Sequence, residues 1–359
     1  MVFSMKQHPQ DLNKRERLIL HAVVHSYITT AEPVGSRTVV KRFDLGVSAA
    51  TVRNVMADLE DLGYLQQLHT SSGRVPTDQG YRYYVDYLMH VQQLTLSERQ
   101  RIEKEFMARV DDADSLLRQT SHLLALISHQ AGLAETPAEG SALTQRIELL
   151  SLAPERLAVL ILDNLGRLRT YTAYMETPLR SDDITSLTRF LNDNLHGAPV
   201  ERLSASLEAR LREFMDDRRR LADQALQVLR MLPLERTTQL YMEGANQLFE
   251  QPEFRDIAKA RQVFGLLDAQ DRIISLIRSA AEAEGTHPRN SILIGIEGKI
   301  QGLEDISVIA APYKVNDETV GMIGVLGPRR MPYSRLTAIV DYTAKFVSRV
   351  LTQMVGPKK

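Results

Sequence analysis

The segment from Ser48 to Gly63 constrains the fold more than any other part of the chain, because both of its ends are marked as helix ends. Serine is a preferred residue at a helix N-cap, and glycine is the usual residue where a helix ends in the left-handed conformation. The apolar residues between these ends recur at the spacing of one helix face: Val52, Val55, Met56 and Leu59. We therefore predict a helix from Ala49 to Leu62 that packs by this face on a small core.

Further signals surround this segment. Asn13 and Glu16 have the spacing of a capping box, which predicts a first helix. Ser36 is predicted to cap a second helix that ends at Phe43. The remaining predicted elements are strands over residues 64–67 and 74–75, the loop 69–73 between them, and a helix capped by Thr77. The order helix, helix, helix, hairpin, helix is typical of a winged helix-turn-helix domain.

The start of the third helix is the part that a helix-turn-helix protein places in the major groove. Its polar side chains are Ser48, Thr51, Arg53 and Asn54. Arginine can pair with guanine, asparagine can pair with adenine, and threonine can contact a thymine methyl group or a phosphate. The acidic residues stand at the other end of the helix, at Asp58, Glu60 and Asp61. This pattern predicts DNA binding, although small helical units of balanced charge also serve as protein-binding modules.

The remainder of the chain predicts an α+β multidomain protein. Helical patterns cover 97–132, 182–195 and 333–354, and strand patterns cover 157–162, 168–174, 291–296, 306–311 and 320–326. The stretch 198–284 is almost entirely helical in pattern. If the strands on either side of it belong to one sheet, it is an insertion in an α+β domain. We therefore predict three domains: residues 1–92, residues 93–197 together with 285–355, and residues 198–284.

The composition excludes several classes of protein. The net charge is −1, so a DNA-binding surface has to come from the local placement of charge. The chain contains no cysteine, which excludes disulfides and thiolate metal sites. No apolar run reaches the length of a membrane helix, and the first residues have no signal-peptide pattern. We expect a cytoplasmic protein with no membrane partner.

Short distinctive motifs occur along nearly the whole chain. They are Thr30–Arg37, Gly46–Leu65, Thr70–Thr77, Gly80–Asp86, Gln239–Ala245, Gln251–Phe254, Ala310–Val315, Val320–Pro328 and Met331–Arg335. In this order they closely resemble the heat-inducible transcription repressor family HrcA. The resemblance implies a winged helix domain, a GAF-like domain and an inserted dimerisation domain. It also implies repression of chaperone operons of the dnaK and groE type from an inverted-repeat operator, CIRCE. The chaperonin GroEL is the implied partner, and heat releases the operons by diverting it.

The resemblance also implies which residues face DNA. They are Arg37 in the second helix, Ser48, Thr51, Arg53 and Asn54 in the third, and Thr70, Ser72 and Arg74 in the wing. The sequence leaves open which of them contact bases and which contact phosphates. A palindromic operator requires a twofold homodimer whose half-sites lie about 34 Å, one helical turn, or a multiple of that apart. We further hypothesise that the charged segment Arg210–Met242 is the marginally stable part that needs the chaperonin.

Other candidate sites are predicted to be structural. A GAF-like domain can hold a small ligand, so a metabolite-responsive regulator is the alternative function. Its candidate site, Gly321–Gly327, lacks the pattern of a phosphate-binding loop and predicts a closely packed strand.

His21 and His25 have the spacing of two metal ligands, but no third ligand is evident. We expect no enzyme activity, no catalytic residue, no metal and no cofactor. Four tyrosines are predicted to lie in the core: Tyr81, Tyr83, Tyr84 and Tyr87.

Overall fold

The structure is a computed structural model of the 359-residue chain. The residues that it describes are 12–68, 73–107, 112–137, 142–153, 155–164, 166–175, 177–211, 219–232, 239–256, 259–261, 263, 265, 269–282, 291–298 and 304–355. Their elements form a helical N-terminal unit followed by a larger α+β region.

The N-terminal unit comprises residues 12–88. Its elements are α1 (Lys14–Thr30), α2 (Ser36–Arg42), α3 (Ala49–Asp61), β1 (Leu65–Gln67), β2 (Arg74–Pro76) and α4 (Asp78–Tyr83), which continues as one π-helical turn over Tyr84–Leu88. The predicted capping box is confirmed, because the Asn13 side chain accepts from the Glu16 amide at 3.0 Å and Glu16 accepts from the Asn13 amide at 2.8 Å. The prediction that Ser36 caps α2 is wrong. Gly35 has the extended cap conformation, and Ser36 is already helical.

The core of the N-terminal unit confirms the predicted face of α3. Its buried residues are Val52, Val55, Met56 and Leu59. Gly63 follows the helix with a φ of +81°, the left-handed conformation that its position predicts. Of the four tyrosines predicted to be core, three are buried and Tyr87 is exposed.

In the region after the N-terminal unit, the described residues form two separate sheets. Its helices are α5 (Leu96–Met107), α6 (Ala113–Ser128), α7 (Ser181–Leu195), α8 (Leu203–Leu211), α9 (Arg219–Met231), α10 (Ala245–Phe249), α11 (Gln270–Glu282) and α12 (Tyr333–Val355). Its strands are β3 (Ala131–Glu135), β4 (Thr144–Ala153), β5 (Arg156–Asp163), β6 (Leu168–Tyr174), β7 (Leu240–Glu243), β8 (Ser291–Ile294), β9 (Ile306–Val315) and β10 (Glu318–Pro328).

The first sheet has five antiparallel strands in the order β7-β3-β10-β9-β8. Ile309 and Ile323 belong to the apolar cluster that includes α6 and α12. Their neighbours along the strands, Val308 and Met322, belong to the cluster that includes α11. Because side chains alternate along a strand, α6 and α12 cover one face and α11 covers the other. No helix of the described segments combines the length and the apolar character needed to cross a membrane.

The second sheet has the order β4-β5-β6, with α7 packed against β4 and α9 against β6. The predicted strands 157–162 and 168–174 therefore do not share a sheet with the strands that follow the helical stretch, so this expectation is wrong. Strands β3 and β7 pair with each other, and Leu133 lies opposite Met242. The chain therefore leaves the five-stranded sheet after β3 and returns to it at β7. Both strands were missed by sequence reasoning. All five residues of β3 are buried, so it lacks the alternation of a half-exposed strand, and β7 has only four residues.

The predicted helical region 97–132 is also corrected. It consists of α5, α6 and the start of β3 rather than one long helix. Asp112 caps α6 by accepting a hydrogen bond from the Ser115 amide at 2.7 Å, and His129 ends that helix in the left-handed conformation. These end signals separate α6 from the segments on both sides.

Candidate nucleic-acid interface

The start of α3 is held by Ser48, the N-cap that the sequence predicts. Its Oγ accepts a hydrogen bond from the Thr51 amide at 3.1 Å and lies 3.0 Å from the Thr51 Oγ1. Ser48 is exposed and Thr51 is half-buried. The two hydroxyl groups therefore position the helix terminus, and their contact with DNA stays a prediction.

The outer face of α3 presents Ala50, Arg53 and Asn54 to solvent. Within the described part of the chain, the side chains of Arg53 and Asn54 form no hydrogen bond and no ion pair. Ala50 is one turn earlier on this face and adds little bulk. An exposed guanidinium and an exposed carboxamide beside a small residue can approach base edges with all their donors available.

Charge is separated along the surface of the N-terminal unit. Arg37 is exposed on the first turn of α2, and Lys41 and Arg42 are exposed at its last turn. Exposed acids lie at the far end of α3, at Asp58 and Asp61. The first turn of α3 carries no acidic residue. Negative charge is therefore kept away from any phosphate that the start of this helix approaches.

Arg74 has a different environment from the other predicted DNA contacts. Its Nε donates to Glu60 Oε2 at 2.8 Å, a second guanidinium nitrogen lies 2.6 Å from the same oxygen, and its side chain is only 16% exposed. Its amide and carbonyl also pair with those of Val34 at 3.0 and 2.9 Å. Arg74 thus joins the hairpin to α3 and to the segment before α2. This geometry favours a positioning role for Arg74 over a direct contact.

The tip of the predicted wing includes two candidate contacts, Thr70 and Ser72, which lie outside the described residues. The base of the hairpin is described. A Cβ at Gly73 would lie 2.5 Å from the carbonyl carbon and oxygen of Val34. Only glycine therefore fits where the hairpin crosses the segment before α2.

The candidate metal site at His21 and His25 and the candidate ligand site at Gly321–Gly327 are both explained by packing. The rings of His21 and His25 stack with centroids 6.0 Å apart, and burial, assisted by the charges of His25 and His90, lowers the pKa of His21. Across the described residues, no group of three or more histidines, cysteines or acids could hold a metal ion. Gly321–Gly327 lies in β10, which confirms the strand prediction. A Cβ at Gly324 would lie 2.4 Å from the Ile309 carbonyl oxygen, so this glycine serves strand packing.

Sequence reasoning missed the charges that fix the N-terminal unit against the rest of the chain. Arg82 of α4 bonds to Glu297, and Asp78 at the start of α4 bonds to Arg329 at 2.7 Å. Arg330 bonds to the carbonyl of Ile28 at 3.0 Å. The one signal for these contacts in the sequence is the pair of arginines directly after Pro328, at the end of a buried strand.

The chain matches a family model and relatives of nearly the same length. The family model described as HrcA protein C terminal domain matches residues 114–337. A heat-inducible transcription repressor HrcA from Geobacter sulfurreducens is 37% identical over 341 residues, which cover 95% of this chain and 98% of that protein. A protein of the same name from Syntrophobacter fumaroxidans is 37% identical over 350 residues, with coverage of 96% and 98%.

A solved structure has the same fold. The crystal structure of a hypothetical protein at 2.2 Å resolution superposes with a TM-score of 0.63 and 23% sequence identity, over 96% of this chain and 100% of that one. The family model alone covers more than half of the present sequence, and the relatives match it over nearly their full length. The chain therefore belongs to the HrcA family.

Proposed function

We propose that the chain is a heat-inducible transcription repressor that binds an inverted-repeat operator in double-stranded DNA as a homodimer. The observation that carries this proposal is the outer face of α3, where Arg53 and Asn54 are exposed and have no internal partner in the described structure. The order of α1 to α4 with the β1-β2 hairpin supports a winged helix-turn-helix. Membership in the HrcA family supports the repressor function.

The proposed readout assigns different tasks to the exposed residues. Arg53 can donate two hydrogen bonds to a guanine, and Asn54 can pair with the edge of an adenine. Arg37 on the neighbouring helix suits a phosphate, because a contact from the first helix of the motif fixes register rather than sequence. Ser48 and Thr51 fix the start of the helix through their mutual hydrogen bonds.

The proposed dimer uses the outer face of the three-stranded sheet. Leu150, Ala158 and Thr172 are cross-strand neighbours, as are Arg146, Leu162 and Leu168, so these residues share one face. Leu150 is 53% exposed and Leu168 is 62% exposed, and Tyr174 at the end of β6 is 62% exposed. Large apolar side chains exposed on one sheet face favour an interaction site there, and this face also carries Arg146 and Thr172. A second copy of the chain is the occupant that a palindromic operator requires.

We propose new domain boundaries on the basis of strand pairing. The winged helix domain is residues 12–88, and the GAF-like domain contains residues 113–137 and 239–355, which hold all five strands of the larger sheet. The inserted dimerisation domain is residues 142–232, with the three-stranded sheet and α7 to α9. This differs from the sequence prediction of 198–284, because the insertion starts earlier and includes strands.

The proposed regulation follows from the family resemblance. The repressor acts in the cytoplasm on chaperone operons of the dnaK and groE type through CIRCE, and GroEL maintains its active form. Heat diverts the chaperonin and releases the operons. In the segment hypothesised to need the chaperonin, Arg210–Met242, residues 212–218 and 233–238 lie outside the described residues. Its last residues belong to β7, which pairs with β3 of the five-stranded sheet. Heated protein is expected to regain DNA binding with GroEL and ATP, and to regain less without them.

The DNA-binding proposal is tested with a duplex that the purified chain itself selects from a random-sequence library. We expect the selected duplexes to contain an inverted repeat. We expect them to bind at least about a thousandfold more tightly than scrambled duplexes of the same composition. Affinity should fall steeply as salt rises, because phosphate contacts release counterions. Equal binding of selected and scrambled duplexes would falsify the proposal.

The dimer proposal is tested with a charge on the exposed sheet face. Leu168→Glu should convert the dimer to a monomer in sedimentation analysis, because two copies of the new carboxylate would have to be buried together. Leu96 is the matched control, since it is 76% exposed and lies on α5, away from the sheet. Leu96→Glu should leave the dimer intact. A dimer that survives Leu168→Glu would place the interface elsewhere.

A further inference from the structure

The N-terminal unit is attached to the five-stranded sheet by a face that does not include the outer side of α3. The centre of this contact is apolar. Tyr81 of α4 and Tyr333 at the start of α12 are buried, with ring centroids 6.1 Å apart. The Tyr333 hydroxyl donates to the Arg329 carbonyl at 2.6 Å, which ties α12 to the arginines that follow β10. Charged contacts surround this tyrosine pair.

One charged contact joins the start of α4 to the end of β10. Arg329 bonds to Asp78 at 2.7 Å and to Asp305 at 2.9 Å, so a single guanidinium bridges the two parts of the chain. Gly295 lies against the same carboxylate, because a Cβ there would be 2.6 Å from Asp78 Oδ2. The close approach of Gly295 leaves Asp78 little room to move.

A second charged contact lies one turn further along α4. Arg82 donates from Nε to Glu297 Oε1 at 2.9 Å, and a second nitrogen contacts the other oxygen of the same carboxylate. The guanidinium also donates to the Ile292 carbonyl at 2.6 Å and to Asp86 at 3.2 Å. A planar guanidinium with several fixed acceptors resists rotation, because its bonds have a fixed fork geometry.

A third contact involves the end of α1. Arg330 donates to the Ile28 carbonyl at 3.0 Å and is held in place by Glu253 at 2.5 Å and Gln251 at 3.0 Å. The connecting segment 89–95 is neither helix nor strand and is mostly exposed. The segment is itself tied to α12, because the Gln92 amide donates to the Ser334 carbonyl at 3.2 Å and Leu94 is buried. The three arginine contacts add anchors on α1 and α4, within the N-terminal unit itself.

We infer that Arg82, Arg329 and Arg330 are positioning residues that set the half-site spacing accepted by the dimer. The inference rests on the proposed function, since spacing has meaning only for a dimer on an inverted repeat. Three polar anchors around a buried tyrosine pair fix the N-terminal unit in both tilt and rotation. The outer face of α3 stays exposed in this arrangement, so the contact orients the DNA-reading helix and does not cover it. Specificity for spacing thus comes from residues that never touch DNA.

The test uses an inverted-repeat duplex selected by the wild-type chain and a derivative with about 5 bp, half a helical turn, inserted between the half-sites. The insertion should weaken wild-type binding by at least about tenfold, because a rigid dimer can no longer engage both half-sites. In Arg82→Glu and in Glu297→Arg, two like charges face each other and loosen the contact. The insertion should then weaken binding by less than about threefold, because the two N-terminal units can adjust to the changed spacing. The double variant restores an opposite-charge pair and should recover most of the wild-type discrimination. All variants should bind a single half-site equally well, which also reports folding of the N-terminal unit.

A distance measurement supplies an independent readout. The chain contains no cysteine, so Lys41→Cys gives one spin-label site per protomer on the exposed side of α2. The distance distribution between the two labels should be narrow in the otherwise wild-type dimer, broad in Arg82→Glu, and narrow again in the double variant. The inference is overturned if both single variants keep wild-type spacing discrimination and a narrow distribution. If the wild-type chain selects no inverted repeat or shows no label pair, the proposed function itself fails.

Discussion

The two faces of the N-terminal unit carry arginines in opposite environments. On the outward face, Arg37 and Arg53 are exposed, and within the described residues neither has an internal partner. On the inward face, Arg82 is partly buried and bonds to Glu297 and to a backbone carbonyl of the sheet. An arginine whose N–H donors have no partner within the described protein is therefore suited to bind DNA. An arginine whose donors are hydrogen-bonded is suited to hold the N-terminal unit in position. A net charge of −1 gives no hint of this division.

The strongest test of this comparison is the removal of an arginine that contacts the inward face from the other side, Arg330 after β10. Arg330→Ala should lower the free energy of unfolding by about 2–4 kcal/mol, because Glu253 and the Ile28 carbonyl both lose their donor in a partly buried site. Urea denaturation followed by far-UV circular dichroism measures the change. Arg53→Ala is the matched control and should change stability by less than about 0.5 kcal/mol. Equal stability of the two variants would break the distinction between the two faces.

The second test addresses the outward face. Arg53→Ala should weaken binding to the selected inverted-repeat duplex by about 1–3 kcal/mol and relax the preference at one base pair of each half-site, because the bidentate pair with guanine is lost. Fluorescence anisotropy on duplexes with single base-pair changes measures both effects. Arg37→Ala should instead weaken binding to all duplexes alike and reduce the salt dependence by about one counterion. A uniform loss for Arg53→Ala would make Arg53 a phosphate contact.

Arg74 sharpens the comparison because it lies between the two classes. It was predicted to face DNA, yet its guanidinium is bonded to Glu60 and is mostly covered. Arg74→Ala should lower the free energy of unfolding by about 1 kcal/mol, since both partners are only partly buried. Its effect on DNA binding should be independent of the base sequence, because the hairpin as a whole loses its anchor. A change in preference at a single base pair would instead assign Arg74 to direct readout.

The sequence predicted elements whose signals are local. Asn13 with Glu16, Ser48 with Thr51, and Gly63 each act within one helical turn, so α1 and α3 could be placed without knowledge of the fold. The charge pattern of α3 is equally local, and its exposed and buried faces follow from spacing alone. This part of the candidate site was therefore accessible from residue types and their order.

Features that depend on distant contacts were not accessible. Glu60 and Arg74 are 14 positions apart and meet only because the hairpin turns back on α3. Arg82 and Glu297 are 215 positions apart. The pairing of β3 with β7 likewise depends on which strands come together after the chain has left the sheet, and neither strand has a strong pattern of its own. Sequence periodicity describes each element separately, and no local signal specifies its partner.

The smallest expected effect concerns His21, which is half-buried in the N-terminal unit beside Tyr84. Burial, reinforced by His25 and His90, lowers its pKa below the ordinary value of 6.5. As the pH falls below about 6.5, the unfolded chain therefore binds more protons at this site than the folded chain. The free energy of unfolding decreases over this range. His21→Gln should make the free energy of unfolding less dependent on pH between about 5.5 and 7.5 than in the wild type. His122→Gln, at an exposed position on α6, is the control and should keep the wild-type dependence. An unchanged pH dependence in His21→Gln would show that His21 does not contribute to acid sensitivity.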